Sequence, residues 1–213
     1  MKITIIYDNT QHQEELQPDW GFSALVELDN NSKILFDAGA DGLILLSNME
    51  KLGIDPKSIS TVFISHAHYD HIGGLSTFLN TNNDVRVFVP VSLKGIHRAR
   101  EVISIVGPME IGENLFSTGE LDRIEQSLVV RIEKGVLLIV GCSHPKMEHI
   151  FSAAEQYGNI RAIVGGMHGL RKFDLFRDLE LICPTHCTQN KDEIEYMFPK
   201  KYIEGGAGKV ISF

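Results

Sequence analysis

The chain reads as α+β, a protein of layered sheets and helices with its chemistry gathered at one sheet edge. Three observations lead there. Short apolar runs broken by Gly, Asn, Asp and Pro recur without a fixed-period repeat, helical and alternating spacings interleave, and several apolar runs end on a histidine. With 213 residues and 43% hydrophobic content, the chain is long enough for a sizeable core and is expected to form one domain over residues 1–213.

Runs of β-branched and aromatic residues bounded by turn formers predict strands over 2–7, 22–28, 33–36, 61–64 and 86–89 in the first half. Apolar residues at helical spacing predict helices over 43–52, 75–79 and 93–100. In the second half, strands are expected over 128–132, 136–140, 160–164, 179–183 and 209–213, with helices over 146–157 and 191–198. Pro145 stands where the first turn of a helix tolerates a missing N–H.

The densest chemistry is His66-Ala67-His68-Tyr69-Asp70-His71, placed between the strand ending at Ile64 and the small residues of Ile72-Gly73-Gly74-Leu75. Neutral imidazole and ionised carboxylate both suit zinc, manganese or iron, and residues at the mouth of a turn can converge on one ion. The chain has nine histidines, so three within six positions point to a metal site on a loop leaving a buried strand. Three later strands also deliver a histidine at their exit: Gly141-Cys142-Ser143-His144, Gly165-Gly166-Met167-His168 and Thr185-His186-Cys187. This recurrence points to metal ligation by at least two of the three. His12, His97 and His149 have no such placement.

A net charge of −8 excludes broad attraction to nucleic acid or to an anionic membrane. The modest basic cluster of Lys94, His97, Arg98 and Arg100 reads as a solvated helix face. Three cysteines without secretory context exclude a disulfide framework. Cys183 reads as a small buried hydrophobe, and Cys187 stays open as a soft-metal or redox residue. No run approaches the roughly 20 apolar residues of a membrane span, and the first residues read as a strand, so a cytoplasmic protein is expected. The oligomeric state is not set by the sequence.

The H-x-H-x-D-H pattern from His66 to His71, the Ile72-Gly73-Gly74-Leu75 that follows and the earlier Asp37-Ala38-Gly39 resemble the metallo-β-lactamase superfamily. Gly141-Cys142-Ser143-His144-Pro145, Gly165-Gly166-Met167-His168 and Pro184-Thr185-His186-Cys187-Thr188 are similar to the branch that includes archaeal 7,8-dihydropterin-6-methyl-4-(β-D-ribofuranosyl)aminobenzene-5′-phosphate synthase-like proteins. The resemblance implies a four-layer αββα sandwich (metallo-β-lactamase fold) with a metal centre in a cleft at one edge of the sheets. Carried over by position, His66, His68 and His144 bind one divalent ion, and Asp70, His71 and His186 bind a second. Zinc is the first expectation for the one or two ions, with manganese or iron as alternatives.

Where the superfamily commonly has a bridging Gly-Asp, this chain has Gly141-Cys142. Either His144 occupies the bridging region, or His168 or Cys142 completes the shell, or one ion alone binds firmly. His168 ranks above Cys142 because a thiolate invites oxidation, and Glu120 is a weaker donor. Ser143 and Thr185 are placed to hydrogen-bond ligand imidazoles or a metal-bound oxygen. Residues 11–21, with Pro18 and Trp20, are placed to form a flap over the cleft.

Asp70 is the expected catalytic residue, holding the attacking water and relaying its proton. The leading expectation is a hydrolase acting on an ester, lactone or phosphoester of a small-molecule substrate, without nucleic-acid or membrane partners. Two alternatives stand beside it: a pterin-linked transferase displacing pyrophosphate, and a non-catalytic metal-binding or sensing protein.

Overall fold

The apolar runs pair into two sheets, seen in a computed structural model that describes residues 1–213. The first sheet takes β1 (Lys2–Tyr7), β2 (Ser23–Glu27), β3 (Lys33–Phe36), β4 (Thr61–Phe63), β5 (Arg86–Pro90) and β6 (Glu101–Ile105) in sequence order. Helices α1 (Gly42–Lys51), α2 (Tyr69–Ile72) and α3 (Leu75–Thr81) lie in the connections between β3 and β5. The second sheet takes β7 (Met109–Gly112), β8 (Leu115–Ser117), β9 (Leu128–Ile132), β10 (Gly135–Val140), β11 (Ile160–Gly166) and β12 (Leu181–Thr185), again in sequence order. Helix α4 (Met147–Glu155) joins β10 to β11, α5 (Lys191–Met197) follows β12, and β13 (Val210–Ser212) returns to pair with β1. No helix is long and apolar enough to cross a membrane.

Strand periodicity sorts the side chains into three apolar layers. In β3, Ile34 and Phe36 point between the sheets, while Leu35 faces α1 and α3. In β10, Leu137 and Ile139 join the inter-sheet core, while Val136, Leu138 and Val140 pack with Ile150 and Phe151 of α4. Both faces of these strands are therefore covered, which is why they are uninterrupted apolar runs instead of alternating ones. Phe36 and Phe63 stack with centroids 5.6 Å apart in the middle layer. The result is the αββα sandwich.

The same topology creates the functional edge. Strands β3 to β6 are mutually parallel, and so are β10, β11 and β12. Parallel neighbours end on the same side, so the exits of β10, β11 and β12 bring residues 141–144, 167–168 and 186–187 to one rim. The exit of β4 meets that rim through the backbone bridge between His66 and Glu125.

The structure corrects several sequence expectations. Residues 93–100 form no helix, because Gly95 (φ +82°) and Arg98 (φ +68°) are left-handed and cannot continue a right-handed helix. Asp70 and His71 lie on the short helix α2, not on an open loop. Strands β6, β7 and β8 were not anticipated. β6 is an edge strand with mostly exposed side chains, and Glu101 and Ser104 dilute its apolar signal.

Close packing near the rim leaves no room for a side chain on Gly165. Its φ is +130°, and a Cβ there would lie 1.9 Å from the carbonyl oxygen of Val140 on the adjacent strand. Gly165→Ala is expected to destabilise the fold by at least about 2 kcal/mol, because backbone must move on both strands. The shift in the urea midpoint measures this.

Candidate metal centre

Three histidines at the rim have one ring nitrogen committed outward. The Ser65 hydroxyl donates to Asp37 Oδ2 at 2.6 Å, so at 2.9 Å from His66 Nδ1 its oxygen must accept. His71 Nδ1 donates to the same Asp37 oxygen at 2.7 Å. His186 Nδ1 donates to Asn9 Oδ1 at 2.9 Å, and the amide is oriented by its NH₂, which donates to the His186 carbonyl. With the rings neutral, as metal binding requires, this network leaves Nε2 of all three as a lone pair facing inward.

The inward nitrogens converge on Cys142. His71 Nε2 lies 3.2 Å from Cys142 Sγ, and His66 Nε2 lies 3.2 Å from His144 Nε2. His186 Nε2 is buried without a hydrogen-bond partner, 3.1 Å from Asp70 Oδ2. A lone pair facing a carboxylate oxygen at that distance needs a positive charge between them, so these residues fit a cation. Two groups result, each with ligand atoms within 4.8 Å of one another: Asp70, His71, Cys142 and His186, and His66, Cys142 and His144.

Not every predicted ligand falls into these groups. His68 is exposed, and its ring packs edge-on against His66 and His144 at centroid distances of 4.6 and 4.5 Å. The His168 ring lies tilted, 4.6 Å from the His144 ring, and shares its ligand group with Cys142 and Cys187, not with His66. Cys142 is common to all three groups, so the geometry reverses the order in which chemistry alone ranked the two. Glu120 is turned away, accepting the Ser92 N–H at 3.2 Å.

Several supporting residues carried no sequence signal. Glu125, fully buried, accepts the backbone N–H groups of Gly141, Cys142 and Ser143 on one oxygen and that of His144 on the other. It fixes the loop bearing two ligand candidates. Burial raises the Glu125 carboxyl, against those hydrogen bonds. Asp8 accepts the His186 N–H at 2.8 Å. The imidazole-orienting role expected of Ser143 and Thr185 falls to Ser65: Ser143 donates to the Gly166 carbonyl, and the Thr185 hydroxyl has no partner. From residues 11–21, Trp20 reaches the site, its Nε1 donating to Asp70 Oδ2 at 2.9 Å and its ring 5.1 Å from that of His186.

The electrostatics divide the histidines. Burial, and then the neighbouring His71 and His144, push His66 far below its ordinary value. Burial also works to lower His71, but the Asp37 carboxylate outweighs it and raises that ring. Burial favours a neutral Asp70, and the neighbouring His186 and His71 overcome it, holding the carboxyl well below the usual range.

A model of the metallo-beta-lactamase superfamily matches residues 18–118, which include the whole His66 to His71 cluster. Over that span the chain is similar to the metallo-β-lactamase superfamily. Members of this superfamily are mostly enzymes and typically bind divalent metal. A Methanocaldococcus jannaschii protein named 7,8-dihydropterin-6-methyl-4-(beta-D-ribofuranosyl)-aminobenzene-5′-phosphate synthase is 25% identical over 99% of this chain and 95% of its own length. A solved metal-dependent hydrolase of the beta-lactamase superfamily is 27% identical, with a TM-score of 0.81 over 100% of this chain and 99% of that one. A ribonuclease Z from Aeropyrum pernix is 34% identical over 55% of this chain and 34% of its own length.

The His144 environment makes a pH prediction. Burial, and then His168 and His68, push it down to about 4 from 6.5. Between those values the unfolded chain binds a proton that the folded, metal-free chain refuses. The His144 contribution to stability is therefore complete above pH 6.5 and is lost as pH falls toward 4. His144→Gln is expected to flatten the decline in unfolding free energy over that window, measured by urea titration of metal-stripped protein.

Proposed function

We propose that the chain is a zinc-dependent hydrolase of a small-molecule ester, lactone or phosphoester. One group of ligands is His66, His144 and Cys142, and the other is Asp70, His71, His186 and Cys142. The observation that carries this reading is the inward Nε2 of His66, His71 and His186, held by outward hydrogen bonds to Ser65, Asp37 and Asn9. Imidazole with thiolate favours zinc over the harder manganese. We leave His68 and His168 out of this set because their ring nitrogens fall in neither of these two groups.

A divalent ion bound here would lower the pKa of water from 15.7 to about 7 and polarise a substrate oxygen. The chain's own residues supply orientation. Asp70, ionised throughout the physiological range, accepts a hydrogen bond from an attacking water and aligns it, while its low basicity makes it a poor proton store. Trp20 holds the same carboxylate from the solvent side.

A second reading follows from the Methanocaldococcus jannaschii relative, which matches nearly the whole chain: a synthase joining a pterin to a ribofuranosyl-aminobenzene phosphate. The two readings share the centre and differ in product. Metal analysis of the purified protein, followed by turnover on lactone, carboxylic ester, phosphoester and RNA substrates, tests the first. Pyrophosphate release in the presence of a pterin tests the second. Stoichiometric metal with no turnover in either assay overturns both in favour of a binding protein. The net charge of −8 favours the small-molecule substrates over RNA.

Asp37→Asn is the sharpest test of the ligand geometry. It removes the acceptor that sets both the His71 ring and, through Ser65, the His66 ring. Metal affinity is expected to fall about 10–100-fold with the fold retained, measured by competition with a chromophoric chelator.

A further inference from the structure

Cys187 and His168 lie outside both ligand groups of the proposed centre, yet they close a third group around Cys142. The ligand atoms of Cys142, His168 and Cys187 lie within 4.8 Å of one another. Both thiols are buried and unoxidised, and the imidazole is half-buried. The backbone holds them there. Gly166 runs past both cysteines so closely that a Cβ on it would meet Cys187 Sγ at 2.7 Å, the Gly141 oxygen at 2.5 Å and Cys142 Cα at 3.3 Å.

His168 is held against its own backbone preference. Its φ of +41° is left-handed, a conformation disfavoured for a residue with a Cβ. Two bonds keep it so: the His168 carbonyl accepts the Gln189 N–H at 2.9 Å, and the preceding Met167 N–H donates to Thr188 Oγ1 at 3.0 Å. A pair of buried thiols serving only as small hydrophobes has no need of an imidazole in a strained conformation. Two sulfurs and one imidazole nitrogen make a soft donor set, unlike the imidazole and carboxylate on the other side of Cys142.

We propose that Cys142, His168 and Cys187 form a thiophilic cation site, taking zinc or a softer divalent ion, with the Cys142 sulfur shared between it and the histidine–aspartate centre. Each thiol gives its proton to solvent as its sulfur binds the ion, and no oxidant or reductant is involved. The site does not rest on the reaction proposed above.

Cadmium is the probe. The full chain, kept reduced with a phosphine, is titrated with Cd²⁺ while the sulfur-to-cadmium charge-transfer band and the bound equivalents are read. Cys187→Ser is expected to bind one equivalent fewer and to retain about half of the band, one thiolate of two. His168→Gln leaves both sulfurs in place and is expected to release that ion to about tenfold less chelator. A Cys187→Ser protein that folds normally and binds the same number of ions with an unchanged band overturns the proposal. So does His168→Gln with unchanged chelator resistance. Asp70→Ala keeps the two readings apart: it is expected to lose metal from the histidine–aspartate centre while the charge-transfer band stays. Undiminished metal in Asp70→Ala counts against that centre alone.

Discussion

One buried carboxylate organises the first half of the site. Asp37 adopts a left-handed backbone (φ +52°), donates its N–H to the Phe63 carbonyl and so ties the end of β3 to the end of β4. Its side chain takes the Ser65 N–H on one oxygen and both the Ser65 hydroxyl and His71 Nδ1 on the other. Because the serine hydroxyl has a single hydrogen and spends it on Asp37, the tautomer of His66 follows. A ligand in each of the two groups is therefore set by one residue that is itself a ligand in neither. The same carboxylate favours the protonated form of a ring that burial alone would keep neutral, which is why His71 and His66 shift in opposite directions although both are fully buried.

The second half reaches the same end by another route. There the ligand loop after β10 is held through its main chain, with four successive N–H groups gathered on Glu125. Each of those donors, stranded without an acceptor, would cost about 1–3 kcal/mol, so the loop has little freedom apart from Glu125. The adjacent Gln126 donates its N–H to the Ser65 carbonyl. The two halves thus meet through residues 65 and 125–126, and the spacing between the histidine groups is a property of the sandwich, not of flexible side chains.

What was legible in the sequence was whatever is written locally. His66 to His71 stands out because its residues are neighbours, and the histidines after β10, β11 and β12 stand out because each ends an apolar run. Ser65, Glu125, Asn9 and Asp8 were silent because their partners lie far along the chain and no spacing rule links them. Cys142 and His168 were ranked by donor chemistry alone, whereas their placement is decided by how closely Gly141, Gly165 and Gly166 let β10, β11 and Cys187 approach. The helix expected over 93–100 failed at two residues of positive φ, one of them an arginine whose identity gives no warning. The edge strand β6 was missed because one exposed face erases the apolar signal.

The indole of Trp20 is more than half exposed, yet it touches both Asp70 and His186. It is also the chain's single tryptophan. Its emission therefore comes from this corner of the molecule alone, and a charge arriving on the adjacent imidazole changes how strongly the excited ring is quenched. The protein carries its own optical reporter of what occupies its rim, readable without any label.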